Sequence, residues 1–434
     1  MPEGALGATV NLRTKRPLEL DDLVVAGRIQ GAYADQADHV GYRGSAFVSK
    51  KLGNRFGILA SVAYSDTKTL GYSFDTGGWT QTNAIDGNGD GIDDPGLFRP
   101  NRFMARVFDR AEQRLTLNGT AQWRPTDELE IILDATYNHL KRQRNSVNYQ
   151  VLFNNNDTDA TVNDEGTVVA GTFTGVTVRP LIYDEPTDLK STLFGGSVKW
   201  ERDRAKVSLD MSYSRGKGSD GGPGASFTYV VVPRTGNVAN ASYDFRPGNA
   251  VPDLAIDANF DVNDPTRYQL LSIFDYDAVT DNRGYDARLD WQYETGWGIL
   301  SSVEAGMRYE RVELLAADPQ NLPVAASLLA TGDRNRDGIL TVDELPGLSY
   351  GKDYGSFFPG EDGTFPRNLL GGTLDKGAAR EGLGLAAPDP YDTSITVGPT
   401  SIKDVTQDTL GAYVKANFDG TAAGLRYSGN AGIR

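Results

Sequence analysis

Between Leu115 and Arg124 the chain reads Leu-Thr-Leu-Asn-Gly-Thr-Ala-Gln-Trp-Arg, apolar and polar positions alternating. A period of two sends successive side chains to opposite faces of a strand, so such a segment predicts a strand with one apolar and one wet face. Eleven segments carry the pattern, near 23–35, 39–52, 55–67, 114–124, 129–140, 192–202, 206–215, 284–294, 299–311, 408–419 and 424–434. In the third, Phe56, Ile58, Ala60, Val62 and Tyr64 share a face. In the fifth, Leu129, Ile131, Leu133, Ala135 and Tyr137 lie opposite Glu130, Asp134, Thr136 and Asn138. The eighth sets Tyr285, Ala287, Leu289, Trp291 and Tyr293 against Asp286, Arg288, Asp290 and Gln292. A one-residue slip would exchange the faces, so the register is specified.

Connection lengths alternate as well. Gly53-Asn54, Pro125-Thr126-Asp127, Asp203-Arg204 and Glu294-Thr295-Gly296 predict tight turns, with long stretches near 68–113, 141–191, 216–283 and 312–407 between them. Long unstructured loops are uncommon in compact domains, whereas outer-membrane barrels pair short turns with long outer loops. Trp123, Trp200, Trp291 and Phe418 precede the short turns, and Tyr33, Tyr64, Tyr137, Tyr213 and Tyr309 precede the loops. The two belts stand about nine residues apart, near the height of an apolar membrane band. The wet face carries both signs of charge, such as Glu304 with Arg308 and Lys415, as a solvated face or lumen allows. The fold class expected is all-β: half of a transmembrane antiparallel β-barrel, about eleven strands with long outer loops. A soluble β-sandwich shares the alternation and is the competing architecture.

Composition narrows the classes further. Hydrophobic residues make up 39% of 434, with 50 glycines, and no run approaches the ~18 apolar residues of a membrane helix. A net charge of −15 argues against nucleic acid as a partner. With no cysteine there is neither a disulfide framework nor a thiolate metal site. His39 and His139 have no nearby His, Cys or Ser in sequence and read as strand-end residues. The start, Met1-Pro2-Glu3-Gly4, lacks both regions of a signal peptide, so an exported protein is expected to carry more chain before it.

Residues 3–17 read Glu-Gly-Ala-Leu-Gly-Ala-Thr-Val-Asn-Leu-Arg-Thr-Lys-Arg-Pro. Gly4 and Gly7 permit tight turning, Thr9 to Thr14 predict a short strand, and Pro17 ends it. This segment resembles the end of the plug domain in TonB-dependent outer-membrane receptors, where a Gly-rich turn and a Thr-Val-Asn-type strand enter the barrel through an Arg-Pro-like linker. The layout that follows is similar to the first half of that family's barrel. The resemblance implies residues 1–17 as the plug's C-terminal end and 18–434 as a partial transmembrane barrel. Most of the plug, the TonB box and half of the family's strands have no counterpart here, which implies a fragment of a longer receptor. The last strand breaks off at Gly432-Ile433-Arg434 while still alternating.

Two acidic segments carry calcium spacing. Residues 333–344, Asp-Arg-Asn-Arg-Asp-Gly-Ile-Leu-Thr-Val-Asp-Glu, fit the twelve-residue EF-hand loop. Asp333, Asn335 and Asp337 supply side-chain oxygens, Gly338 the sharp turn, Ile339 a carbonyl, Thr341 the water-linked position and Glu344 the bidentate carboxylate. Residues 86–94 repeat the opening with Asp86, Asn88, Asp90, the Ile92 carbonyl and Asp94, but Leu97 stands where the bidentate Glu belongs. Hard oxygens converging on one point suit Ca2+, here in a structural role on outer loops. The same residues also build ordinary solvated turns.

No nucleophile–base–acid set and no phosphate loop on a strand–helix unit is present, so no enzyme is predicted; Gly218–Gly224 reads as a flexible loop tip. The resemblance implies an outer-membrane receptor in a bacterial cell, set in lipid and driven by the TonB energy-transducing complex. It would actively take up a scarce solute, a siderophore–iron complex or an oligosaccharide. Loop aromatics Tyr72, Phe74, Trp79, Tyr229, Phe274, Tyr276, Tyr350, Tyr354, Phe357 and Phe358 suit either stacking on sugars or packing the loops together. Asp210, Asp286 and Asp290 read as hydration and folding features of the wet face. A secreted calcium-stabilised β module for binding or adhesion, and a passive porin, remain as alternatives.

Overall fold

The computed structural model describes residues 15–218, 226–234, 236–249, 251–276, 278–317, 329–350, 358–366, 371–386 and 402–434. Eleven antiparallel strands follow one another in chain order across a single sheet. They are β1 (Leu23–Ala34), β2 (His39–Lys51), β3 (Phe56–Asp75), β4 (Arg102–Trp123), β5 (Leu129–Leu152) and β6 (Val168–Arg202). They continue with β7 (Ala205–Gly218), β8 (Val279–Trp297), β9 (Leu300–Ala317), β10 (Ile402–Ala422) and β11 (Leu425–Ile433). Every segment marked by the period of two is one of these strands. Among the described residues the sheet does not close on itself: β1 and β11 are its two edges. No helix among them is long and apolar enough to cross a membrane, which says nothing of crossing by strands.

The tight turns sit where the alternation breaks. Gly53 (φ 78°) turns β2 into β3, and Asp203 (φ 53°) turns β6 into β7. The left-handed conformation suits Gly, and Asp is among the few other residues enriched in it.

The registers set the apolar positions side by side. Ala60 lies between Val48 and Gly119, and Val62 between Ala46 and Leu117, while Ile58 lies between Lys50 and Ala121. The row continues through Leu117–Tyr137, Leu133–Gly196, Leu209–Leu289, Leu289–Met307 and Ala305–Val414. This apolar face is bare at the turn end of the sheet: Ile29 is 90% exposed, Leu133 58% and Trp123 48%. At the other end it is covered, and there the protein's core lies. Phe103, Val147, Phe173, Tyr229, Tyr268, Leu340 and Leu383 belong to one buried cluster.

The strands are longer than the alternation indicated, and this corrects the expected loops. Residues 68–75, 102–113, 141–152 and 168–191, read as parts of loops, are strand. The alternation lapses where both faces turn polar, at Asp66 and Lys68, at 109–114 and at 141–146, before it resumes on the covered part of the sheet. Pro180 and Pro186 stand inside β6 and mask it further. On the edge of β6 away from β5, β7 pairs with 189–202, Ser226–Pro233 with 181–184 and Ala239–Asp244 within 170–176. Both prolines fall in gaps between those partners, where no ladder donor is needed on that edge.

Candidate functional site: the polar face and the acidic loops

The face opposite the bare apolar surface carries a network of paired charges. Arg308 donates to Asp286 at 2.5 Å, Tyr413 to Asp290 at 2.7 Å and Lys415 to Glu304 at 3.2 Å. Arg288 pairs with Asp290 at 2.5 Å. The expected grouping of Glu304 with both Arg308 and Lys415 holds for Lys415, whereas Arg308 turns to Asp286 and Glu310. A groove of about 790 Å³ runs among these side chains and Asp210. Cross-strand ion pairs of this kind, wetted by a groove, suit a solvated wall rather than a dry core.

The N-terminal linker crosses this same face. Pro17 is buried, and a Cβ on Gly57 would come within 2.7 Å of its ring. The Leu18 N–H donates to Gln122 at 2.9 Å, and Arg16 donates to both oxygens of Asp134 at 2.7 and 2.9 Å. Of the plug-like segment only Lys15, Arg16 and Pro17 fall within the described residues; Glu3 to Thr14 lie outside them.

The loop at 333–344 stands between a short helix, Leu329–Gly332, and a 3-10 turn, Val342–Glu344. Its acidic side chains first shape its own backbone. Asp333 accepts from the N–H groups of Arg336 (2.6 Å) and Gly338 (2.8 Å), Asn335 from Asp337 (2.8 Å) and Asp337 from Ile339 (2.8 Å). Gly338 takes φ 80°, the turn expected of it. Thr341 and Glu344 are drawn together: Glu344 accepts from the Thr341 N–H at 3.2 Å and its hydroxyl at 3.0 Å. That is a capping box, a Thr-x-x-Glu signature legible in the sequence but overlooked beside the calcium spacing. Leu340 and Val342 are buried, and the Leu270 N–H bonds the Leu340 carbonyl, so the loop is anchored to the core.

The 86–94 loop has the same internal design. Asp86 accepts from Gly89 (2.7 Å), Asp90 (3.2 Å) and Gly91 (2.7 Å), and Asp94 accepts from Gly87 (2.9 Å). Asn88 accepts from the Asp90 N–H and Asp90 from the Ile92 N–H. The Gly91 N–H, aided by the others, holds the Asp86 carboxyl below its ordinary range. Asp157 faces this loop, and burial together with the charge of Asp86 raises its carboxyl. Among the described residues no three His, Cys, Asp or Glu side chains form a preformed metal cluster. The donor set read in each loop also draws on Asn and a backbone carbonyl, and at 333–344 on Thr341.

The loop aromatics chiefly pack. Tyr229 is fully buried and donates to the Pro346 carbonyl at 2.7 Å. Phe74 meets Phe103 and Phe365, and Tyr72 meets Phe358. Trp79, Phe274 and Tyr350 keep exposed rings, while Tyr354, Phe357 and the Tyr276 ring lie outside what is described. Of the Gly218–Gly224 tip only Gly218 is described. His39 opens β2 as expected, but His139 lies well inside β5, its Nε2 2.9 Å from Asp188.

One set of residues went unread in the sequence. Arg102, Arg106, Arg110 and Arg114 recur every fourth position along β4 and therefore share its polar face. Their spacing was the available signal, lost because most of that segment read as loop. No family model, curated protein or solved structure matches this chain.

Proposed function

We propose that the eleven-stranded sheet is part of the wall of an outer-membrane β-barrel, and that the chain is part of a TonB-dependent receptor for active uptake of a solute. The carrying observation is the asymmetry of the sheet along its strands. Its apolar face is bare at the turn end and roofed by a hydrophobic core at the loop end. An uncovered apolar surface of that extent needs a nonaqueous neighbour, and lipid supplies one. The opposite face, with its ion pairs and grooves, serves in this reading as the lumen wall.

The linker contacts favour a receptor over a passive porin. Arg16 on Asp134 and Leu18 on Gln122 lead the N-terminal segment across the polar face, the side on which a plug would sit. The TonB complex would engage chain preceding that segment, and the siderophore–iron complex or oligosaccharide would enter from the loop end. Ca2+ in the 333–344 and 86–94 loops would neutralise clustered carboxylates and stiffen the outer layer.

The test is partition. Purified chain is expected to require detergent and to insert into phospholipid vesicles resistant to alkaline extraction. A monodisperse chain in plain buffer, absent from the vesicles, would point instead to the secreted β module.

A further inference from the structure

We propose that the polar face at the loop end of the sheet binds a solute carrying two or more oxyanion groups, carboxylate or phosphate, on the arginine ladder of β4. The inference rests on reading that face as the solute's path, and it selects the solute's charge.

The ladder is built by register. β4 pairs with β3 from Met104 and with β5 from Arg102, both without a break to Trp123, so its even-numbered residues keep one face throughout. Successive rungs are four residues, about 13 Å, apart along the strand. The Phe108 ring lies across Gly71 of β3, on the strand position midway between Arg106 and Arg110. The Nε atoms of Arg102, Arg106 and Arg110 are buried and have no hydrogen-bond partner among the described residues. None of these three side chains makes an ion pair among those residues either.

Two further unpartnered atoms adjoin them. Thr69 stands opposite Arg110, and Asn148 opposite Arg106. Thr69 Oγ1 and Asn148 Oδ1 are both buried without partners, and Asn148 as a whole is 2% exposed. Five orphaned polar atoms thus line one stretch of three neighbouring strands. Shortage of carboxylates does not explain it, since the chain holds 58 acidic residues against 43 basic. Nearby Arg144 is already taken by Glu185, at 2.8 and 2.5 Å. Below the ladder the face opens into a groove of about 540 Å³, lined by Arg28 and Arg43 and by Arg114, which pairs there with Glu112 at 3.3 Å.

A guanidinium presents a planar fork of donors that matches carboxylate or phosphate oxygens in pairs. Two rungs spaced in this way call for more than one such group on the solute. A neutral sugar would leave charged donors unsatisfied in a buried setting, which is costly. Asn148 and the Thr69 hydroxyl supply the neutral contacts that would orient the solute between the rungs.

The experiment is calorimetric titration of the full chain in detergent with citrate, with inorganic pyrophosphate and with neutral maltotriose. Citrate or pyrophosphate is expected to bind, their ranking naming the preferred oxyanion, and maltotriose is not. Arg106→Gln and Arg110→Gln each weaken the anion about tenfold, whereas Lys199→Gln elsewhere on the polar face leaves it unchanged. Arg106→Lys, which keeps the charge and loses the fork, guards against a glutamine variant that fails to fold and is expected to weaken binding severalfold. Folded chain that binds neither anion at millimolar concentration, or binds with equal affinity in all variants, overturns the proposal. Chain that inserts into vesicles yet binds no anion sinks this inference alone, and chain that binds anion yet never inserts sinks the membrane reading alone.

Discussion

Leu133→Arg separates a lipid-facing surface from a wetted one. Leu133 lies on β5 between Ala121 of β4 and Gly196 of β6, its side chain 58% exposed. It stands four residues from Leu129 and four from Tyr137, roughly 13 Å along the strand from either border of the bare apolar face. In a bilayer that is near the midplane, where an arginine on the lipid face costs about 2–4 kcal/mol. On a surface in water the same change is worth about 0.5 kcal/mol in either direction. Thr136→Arg is the control, since Thr136 lies on the polar face and gives up only its hydrogen bond to Asn118, about 1 kcal/mol. Guanidinium unfolding in phospholipid vesicles, followed by tryptophan emission, reads both changes on one scale. Equal losses for the two variants, or a Leu133→Arg chain as stable as its parent, would refute the reasoning.

Three further outcomes follow from the outer layer. Arg380 donates to Asp275 at 2.7 and 2.5 Å, with side chains only 12% and 5% exposed, so Arg380→Ala takes both of these hydrogen bonds from a buried carboxylate. A loss of about 3–5 kcal/mol in chemical denaturation is expected, and a loss under about 1 kcal/mol contradicts it. Arg215 beside Asp281 holds that carboxyl down to about 2, below its ordinary 3.8. Because the folded value is the lower one, this stabilisation is complete above about pH 4 and is lost as pH falls towards 2; Asp281→Asn should flatten the acid limb of the stability curve there, and an unchanged limb would speak against the pair. Calcium at ten times the dissociation constant of the 333–344 loop should stabilise the loop layer by about 1.4 kcal/mol through that site, a share that Asp333→Ala removes, and a melting curve indifferent to millimolar calcium would remove the ion from the account.

The bare half of the sheet was legible because each strand there has one wet face and one apolar face. Leu129 to Tyr137 announces both its period and its partners' faces, and the eleven strands follow. The covered half was not legible because the pattern is interrupted before it. Residues 109–114 and 141–146 are almost wholly polar on both faces, so the alternation stops there although it resumes in Val147 to Val151 on the same pleat. The two acidic loops were found by spacing, yet Thr341 and Glu344 serve each other in a cap that the calcium pattern had eclipsed. The arginine ladder could be placed on one face only once β4 was known to run unbroken from Arg102.

The most direct test uses the absence of cysteine from the chain, which makes any introduced thiol unique. Single cysteines at 133 through 138 of β5, labelled with a polarity-sensitive fluorophore and reconstituted in phospholipid vesicles, read the two faces residue by residue. The account predicts blue-shifted, water-shielded emission at 133, 135 and 137, alternating with aqueous emission at 134, 136 and 138. Uniform aqueous emission at all six positions would contradict it.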